Sequence, residues 1–134
     1  MSAMRILQIC DSASGGGLEV YFVRLVNSLT EQRRHVLCKR DSLVDRGIEG
    51  SRVYSLREAL KLDAPDIIHA HRSADLWKGV LIKRVTKAPL LFTNHMGCGV
   101  WKKDGFHRLV YSQVDHILAI SNAVKEELLD CLPV

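Results

Sequence analysis

The stretch SASGGGLEVYFVRL, residues 12–25, follows the apolar run RILQIC at Arg5–Cys10 and decides how the chain is read. It sets three consecutive glycines, Gly15, Gly16 and Gly17, between a segment composed like a buried strand and one of helical period. Glycines at such a junction serve one of two purposes. They make a tight turn, or they let a ligand, often a phosphate, come close to main-chain N–H groups at a helix start. From the residues alone both readings stay open. A dinucleotide fingerprint would need Gly or Ala where Val20 stands, although Asp41 follows at about the ~20-residue offset such sites use for an acidic side chain.

Outward from this turn, short runs rich in Ile, Leu and Val at residues 35–39, 52–54, 66–71, 90–93 and 116–120 read as further strands covered on both faces. Helical segments lie between them. Leu18, Tyr21, Phe22, Leu25, Val26 and Leu29 share one stripe, which is expected to end near Arg33. Residues 56–62 form a shorter candidate. Leu76, Val80, Leu81 and Val85 line another stripe, whose opposite face carries Lys78, Lys83, Arg84 and Lys87. A last helix is expected over residues 123–132, capped by Ser121 and Asn122. Strand alternates with helix, so the expected architecture is α/β: a Rossmann-like, doubly wound parallel sheet between two helical layers, in one domain spanning residues 1–134. Ligands meet such sheets outside the carboxyl ends of the strands. Residues 11–17, 69–73 and 93–99, with Ser121, should therefore gather on one rim.

The bulk composition excludes several classes. A net charge of +4 with no aromatic-interleaved basic motif does not announce a nucleic-acid binder. No apolar run approaches the ~18 to 20 residues needed to span a bilayer, and no signal-peptide pattern opens the chain, so a cytoplasmic location is expected. Cys10, Cys38, Cys98 and Cys131 are widely spaced, and the expectation is reduced thiols with no disulfide framework.

Individual residues then stand out. His69 and His71, two apart, share a face if the strand continues through them. They could share a metal, but a catalytic zinc needs about three protein ligands and no third is evident. No metal is expected; one histidine is read as packed and hydrogen-bonded, with His71 reaching the rim. His95 closes the run LLFTNH and precedes a flexible MGCG stretch, as a ligand-meeting histidine would. Trp77, Lys78, Lys83 and Arg84, with Trp101, Lys102 and Lys103, form basic segments with aromatics. They read either as solvated helix faces or as a surface that meets anionic lipid headgroups. No nucleophile elbow, P-loop or zinc-protease helix is present.

In order along the chain, MRILQIC, GGLE, RRHVL, PDIIHAH, PLLFTNH and VDHILAISNAVKEELL together resemble the N-terminal domain of GT-B glycosyltransferases of the family 4, or group 1, type. The resemblance implies an acceptor-side domain facing a second Rossmann-like domain that holds a nucleotide-sugar; that second domain has no counterpart in these 134 residues. It implies that Gly16 and Gly17 lie near the donor diphosphate, that His95 acts beside the transferred sugar, and that His71, Glu19 and Ser121 lie toward the acceptor. It further implies retention of anomeric configuration, no cofactor beyond the nucleotide-sugar co-substrate, and a glycan or lipid-linked acceptor, as in cell-envelope or lipopolysaccharide synthesis. The chain alone would then be inactive. The family's Gly-His before the second strand is Arg34-His35 here. A non-catalytic module docking a partner or an anionic membrane is the alternative.

Overall fold

The computed structural model describes residues 4–30, 32–95 and 104–132. Six strands form one sheet: β1 Arg5–Cys10, β2 Arg33–Cys38, β3 Ser51–Val53, β4 Ile67–Ala70, β5 Leu90–Asn94 and β6 His116–Ala119. Their spatial order is β3-β2-β1-β4-β5-β6, and every neighbouring pair is parallel. Helices α1 Gly17–Ser28, α2 Leu43–Gly47, α3 Leu56–Leu60, α4 Leu76–Thr86, α5 Gly105–Ser112 and α6 Asn122–Cys131 fill the connections, with a 3₁₀ turn at Ser73–Asp75 leading into α4. The doubly wound architecture expected from the alternation is what the chain adopts.

Successive strand residues point to opposite faces, so each strand feeds two cores. On one face Cys10, Val36 and Cys38 pack with Phe22 and Val26 of α1 and Val44 of α2. On the other, Leu7, Ile9, Ile68, Ala70, Leu90 and Phe92 meet residues of α3, α4, α5 and α6. The register is pinned at the amino ends of the strands. Asp66, just before β4, accepts the Arg5 N–H of β1 at 2.7 Å, and Asp115, just before β6, accepts the Leu90 N–H of β5 at 2.7 Å. These carboxylates supply acceptors to N–H groups that begin a strand and have no ladder partner there.

Several expectations are corrected. α1 stops at Ser28 rather than near Arg33, because β2 already begins at Arg33. α2 and α5 were not foreseen; each is short and capped by a side chain, Ser42 accepting the Asp45 N–H and Asp104 the His107 N–H. The buried side of α4 is Leu76, Gly79, Val80 and Ile82, whereas Leu81 and Val85 are 42% and 63% exposed. Cys10 and Cys38 are free and buried, with thiols pushed up to about 12, chiefly by burial. Cys131 is disulfide-bonded, which overturns the reading of four reduced cysteines.

Gly79 explains how closely α4 lies on the sheet. A Cβ there would sit 2.8 Å from Leu90 Cδ1 and 3.7 Å from Ile9 Cδ1, both in the packed interior. Gly79→Val is therefore expected to lower the unfolding free energy by about 1–3 kcal/mol in urea denaturation, as overpacked cores do. An unchanged midpoint would contradict this helix–sheet contact.

Candidate functional site

Strand order reverses between β1 and β4, and the loops leaving their carboxyl ends diverge there. At this edge lies a cleft of about 190 Å³, lined among others by Leu18 of α1, His71, Arg72 and Ser73 after β4, and Asn94 and His95 at the end of β5. The glycine turn and His95 thus share one rim, as the parallel topology requires.

The glycine turn resolves into defined contacts. The Ser12 hydroxyl donates to Glu19 Oε1 at 2.6 Å and accepts the Ser14 N–H at 3.1 Å. Gly16 is the residue preceding α1, and no side chain caps the helix there. Its φ of −79° is one that any residue adopts, and among the described glycines only Gly50 has a positive φ. A Cβ on Gly17 would meet nothing within 4 Å. Backbone conformation therefore does not require glycine at positions 16 and 17; both give exposed main chain at the start of a 12-residue helix, with open space over Gly17 and Glu19 Oε2 3.4 Å from where a Cβ on Gly16 would sit. Glu19 is buried against the loop. Burial alone would raise its carboxyl, yet the Ser12 hydroxyl, backbone N–H groups of Glu19 and Gly16 and the Arg72 charge hold it below the usual carboxylate range.

A charged clamp joins this loop to the one after β4. Asp75, 1% exposed, accepts the Asp11 N–H at 3.1 Å. The Arg72 guanidinium donates to the Asp11 carbonyl at 2.6 Å and to Asp75 at 3.4 Å. Lys78 Nζ meets the Asp11 carboxylate and lies 3.9 Å from Asp75. Burial raises the Asp75 carboxyl, and the charges of Arg72 and Lys78 oppose that rise.

The histidines are arranged differently from expectation. Gln8, His69, His71 and Thr93 lie on the α1 face of the central strands, as the register Gln8↔His69 dictates. The His69 and His71 rings lie 3.9 Å apart, so the shared face holds. Both are buried, however, and His71 is only 1% exposed, so it forms a wall of the cleft rather than standing out from the rim. His71 Nε2 lies 2.8 Å from Gln8 Oε1, its Nδ1 lies 3.4 Å from His95 Nε2, and His69 Nε2 lies 2.7 Å from Thr93 Oγ1. His95 is half-buried, with Tyr21 edge-on at 4.8 Å between ring centroids. Among the described residues no group of three or more His, Cys, Asp or Glu side chains is placed to hold a metal.

The other expected residues scatter. Ser121 caps α6, accepting the Val124 N–H at 3.2 Å, and lines a separate depression beyond β6. Lys78 turns inward to the clamp, and Lys83 bonds Asp115 at 2.8 Å and the Gln113 carbonyl at 2.7 Å, so neither belongs to an open cationic face. Trp77 and Arg84 are exposed. Trp101, Lys102 and Lys103 lie outside the described residues, and no described helix is long and apolar enough to cross a membrane. Sequence reasoning missed Gln8, Tyr21, Arg72 and Asp75 as site residues. A polar Gln8 inside an apolar strand run was the one usable signal.

A family model described as Glycosyltransferase Family 4 matches residues 15–134. No curated protein matches the chain in sequence. Among solved structures, HepE from Anabaena in complex with UDP-glucose is similar with a TM-score of 0.69 and 16% identity, over 96% of this chain and 40% of that one. The same protein in complex with UDP and glucose gives a TM-score of 0.68 and 15% identity, over 96% and 41%. The lipopolysaccharide outer core galactosyltransferase WaaB, in its apo form, gives 0.65 and 16% over 95% and 42%. This chain spans about two fifths of the length of these structures.

Burial above all, and then the neighbouring histidines, push His69 down to about 4 and His71 to about 2 from 6.5. The unfolded chain binds these protons near pH 6.5 while the folded chain excludes them. The stability present above that pH should therefore fall as pH drops toward 4, with a slope approaching about 1.4 kcal/mol per pH unit for each histidine. Urea midpoints at pH 7.5, 6 and 5 check this, and a flat profile would contradict neutral buried rings.

Proposed function

The chain belongs to Glycosyltransferase Family 4, and from that premise we propose that it is the acceptor-side domain of an enzyme that moves a sugar from a nucleotide-sugar to a hydroxyl of a glycan or lipid-linked acceptor. One observation carries the reading: Leu18, in the first turn of the uncapped, glycine-opened helix α1, and the half-buried His95 line one cleft at the strand-order reversal. The two ends suit different parts of such a reaction. The donor leaves as a nucleoside diphosphate, so the developing charge must be stabilised by preorganised donors. The N–H groups at the start of α1, with Gly16 and Gly17 leaving room for approach, and the part-exposed Arg72 guanidinium supply them. His95, held by His71 and Tyr21, sits where it can orient the sugar or the attacking hydroxyl.

HepE was solved with UDP-glucose, and WaaB is a lipopolysaccharide galactosyltransferase. A uridine diphosphate sugar and a cell-envelope acceptor, such as a lipopolysaccharide intermediate, are accordingly the first substrates to try. The reading includes retention of configuration, no metal requirement and no cofactor beyond the nucleotide-sugar. A donor-binding second domain completes the site, so the 134-residue chain alone is expected to give no transfer from nucleotide-sugars to glycan or lipid-linked acceptors. Robust turnover by the isolated chain would overturn the assignment. With a donor-binding domain supplied, His95→Ala is expected to lower kcat roughly 10²- to 10³-fold, as loss of a group acting on the reacting centre does. Unchanged kcat would remove His95 from the mechanism.

A second reading, peripheral docking on an anionic membrane at the cytoplasmic face, is favoured by one feature. Trp77, Leu81 and Val85 form an exposed stripe at helical spacing on α4, with Phe106 and Leu109 exposed on α5 and Arg84 and Arg108 beside them. Co-sedimentation with vesicles should then require anionic lipid and drop several-fold in the Trp77→Ala/Leu81→Ala double variant. Binding that ignores lipid charge, or survives the double variant, would exclude it.

A further inference from the structure

We infer that Gln8 fixes the proton on His71 and, through it, on His95, so that His95 offers the cleft a hydrogen-bond acceptor and selects a ligand group that donates. Gln8 sits in mid-β1, 1% exposed, in a run otherwise composed as buried strand. Its amide oxygen, 2.8 Å from His71 Nε2, can only accept, so His71 carries its proton on Nε2. A neutral imidazole has one N–H, which leaves His71 Nδ1 as a lone pair. Across 3.4 Å, His95 Nε2 must then be the donor. The proton of neutral His95 is thereby spent on His71, and its Nδ1 is an acceptor. The other neighbours of His71 do not compete for its nitrogens. Phe22 meets the ring edge-on at 4.9 Å, Tyr21 lies 6.5 Å away, and His69 bonds Thr93. Burial of both rings keeps them uncharged near neutral pH.

The consequence is chemical selection. A hydroxyl can donate to His95 Nδ1, whereas a phosphate or carbonyl oxygen meets two facing lone pairs. Gln8 and His71 are positioning residues, and the group His95 takes is a hydroxyl. The relay rests on the transfer reading only in assigning that hydroxyl to a sugar.

The test is histidine tautomer assignment by two-bond proton–nitrogen NMR on the ¹⁵N-labelled 134-residue chain at pH 7.5, without substrate. The expected result is the Nε2–H tautomer for both His71 and His95. In Gln8→Met, of similar length but without the acceptor, the His95 tautomer ratio should move toward a mixture by roughly five- to tenfold, about one hydrogen bond's worth. A proton on Nδ1 of His71 in the wild type overturns the relay, and so does an unchanged His95 ratio in folded Gln8→Met. If that variant does not fold, the wild-type tautomers alone decide. Correct tautomers in a protein that transfers no sugar even with a donor-binding domain would leave the relay standing and overturn the functional reading instead.

Discussion

The chain winds outward from β1 in one direction through β2 and β3, then returns to place β4 on the other side of β1 and winds outward again. Parallel connections keep one hand, so the helices of the two halves cover opposite faces, and the loops leaving β1 and β4 must part. That parting opens the cleft. The Asp11–Arg72–Asp75–Lys78 clamp bridges it. It ties the divergent loops to each other through a buried carboxylate, with partners 61 and 64 residues apart in sequence. The clamp ties the start of the glycine loop to the segment that follows His71.

The interior behind that rim is unusually polar for a sheet centre. Gln8, His69, His71 and Thr93 stand where the opposite face carries the apolar side chains Leu7, Ile68, Ala70 and Phe92. Each buried polar group costs stability unless a partner satisfies it. Here they satisfy one another, Gln8 with His71 and His69 with Thr93. A column of mutually bonded polar groups is stiffer than an apolar core of the same volume, since each bond has a required direction. That stiffness extends to His95, whose position depends on His71 from within and Tyr21 from outside.

The central strands were legible in the sequence because burial on both faces leaves a compositional mark that local reading detects; β6 corrects the expectation of two-sided cover, since His116 and Leu118 on one of its faces are exposed. RILQIC and LLFTNH announce β1 and β5 almost to the residue. α2 and α5 were not, helices of five and eight residues giving periodicity little length, although the five-residue α3 lies within the stretch 56–62 that the sequence does mark as helical. For α4 half of the expected stripe is buried, Leu76 and Val80, while Leu81 and Val85 face outward and Ile82 takes their place in the core. Gly79, which contributes nothing to an apolar stripe, lies directly against Leu90 and Ile9 on the buried side of the helix. The rim position of the glycines and His95 followed from topology, and that much of the site could be read. The clamp could not, because its members are ordinary charged residues whose meaning lies in pairings across more than 60 positions.

The cleft therefore holds two chemically distinct neighbourhoods side by side. At the glycine turn, helix N–H groups and Arg72 favour negative charge, and Glu19 and Asp75 already balance part of it. At the histidine wall, burial suppresses protonation, so the rings act as neutral dipoles and not as cations. A charged wall would extend positive potential over both ends of the cleft. Neutral histidines confine the positive potential of the cleft to the turn and leave hydrogen-bond direction as the character of their own end. The separation is a property of the strand faces themselves. Cys10 and Gln8 share one side of β1, and the step from thiol to amide along two residues carries the face from the apolar core under α1 into the histidine column.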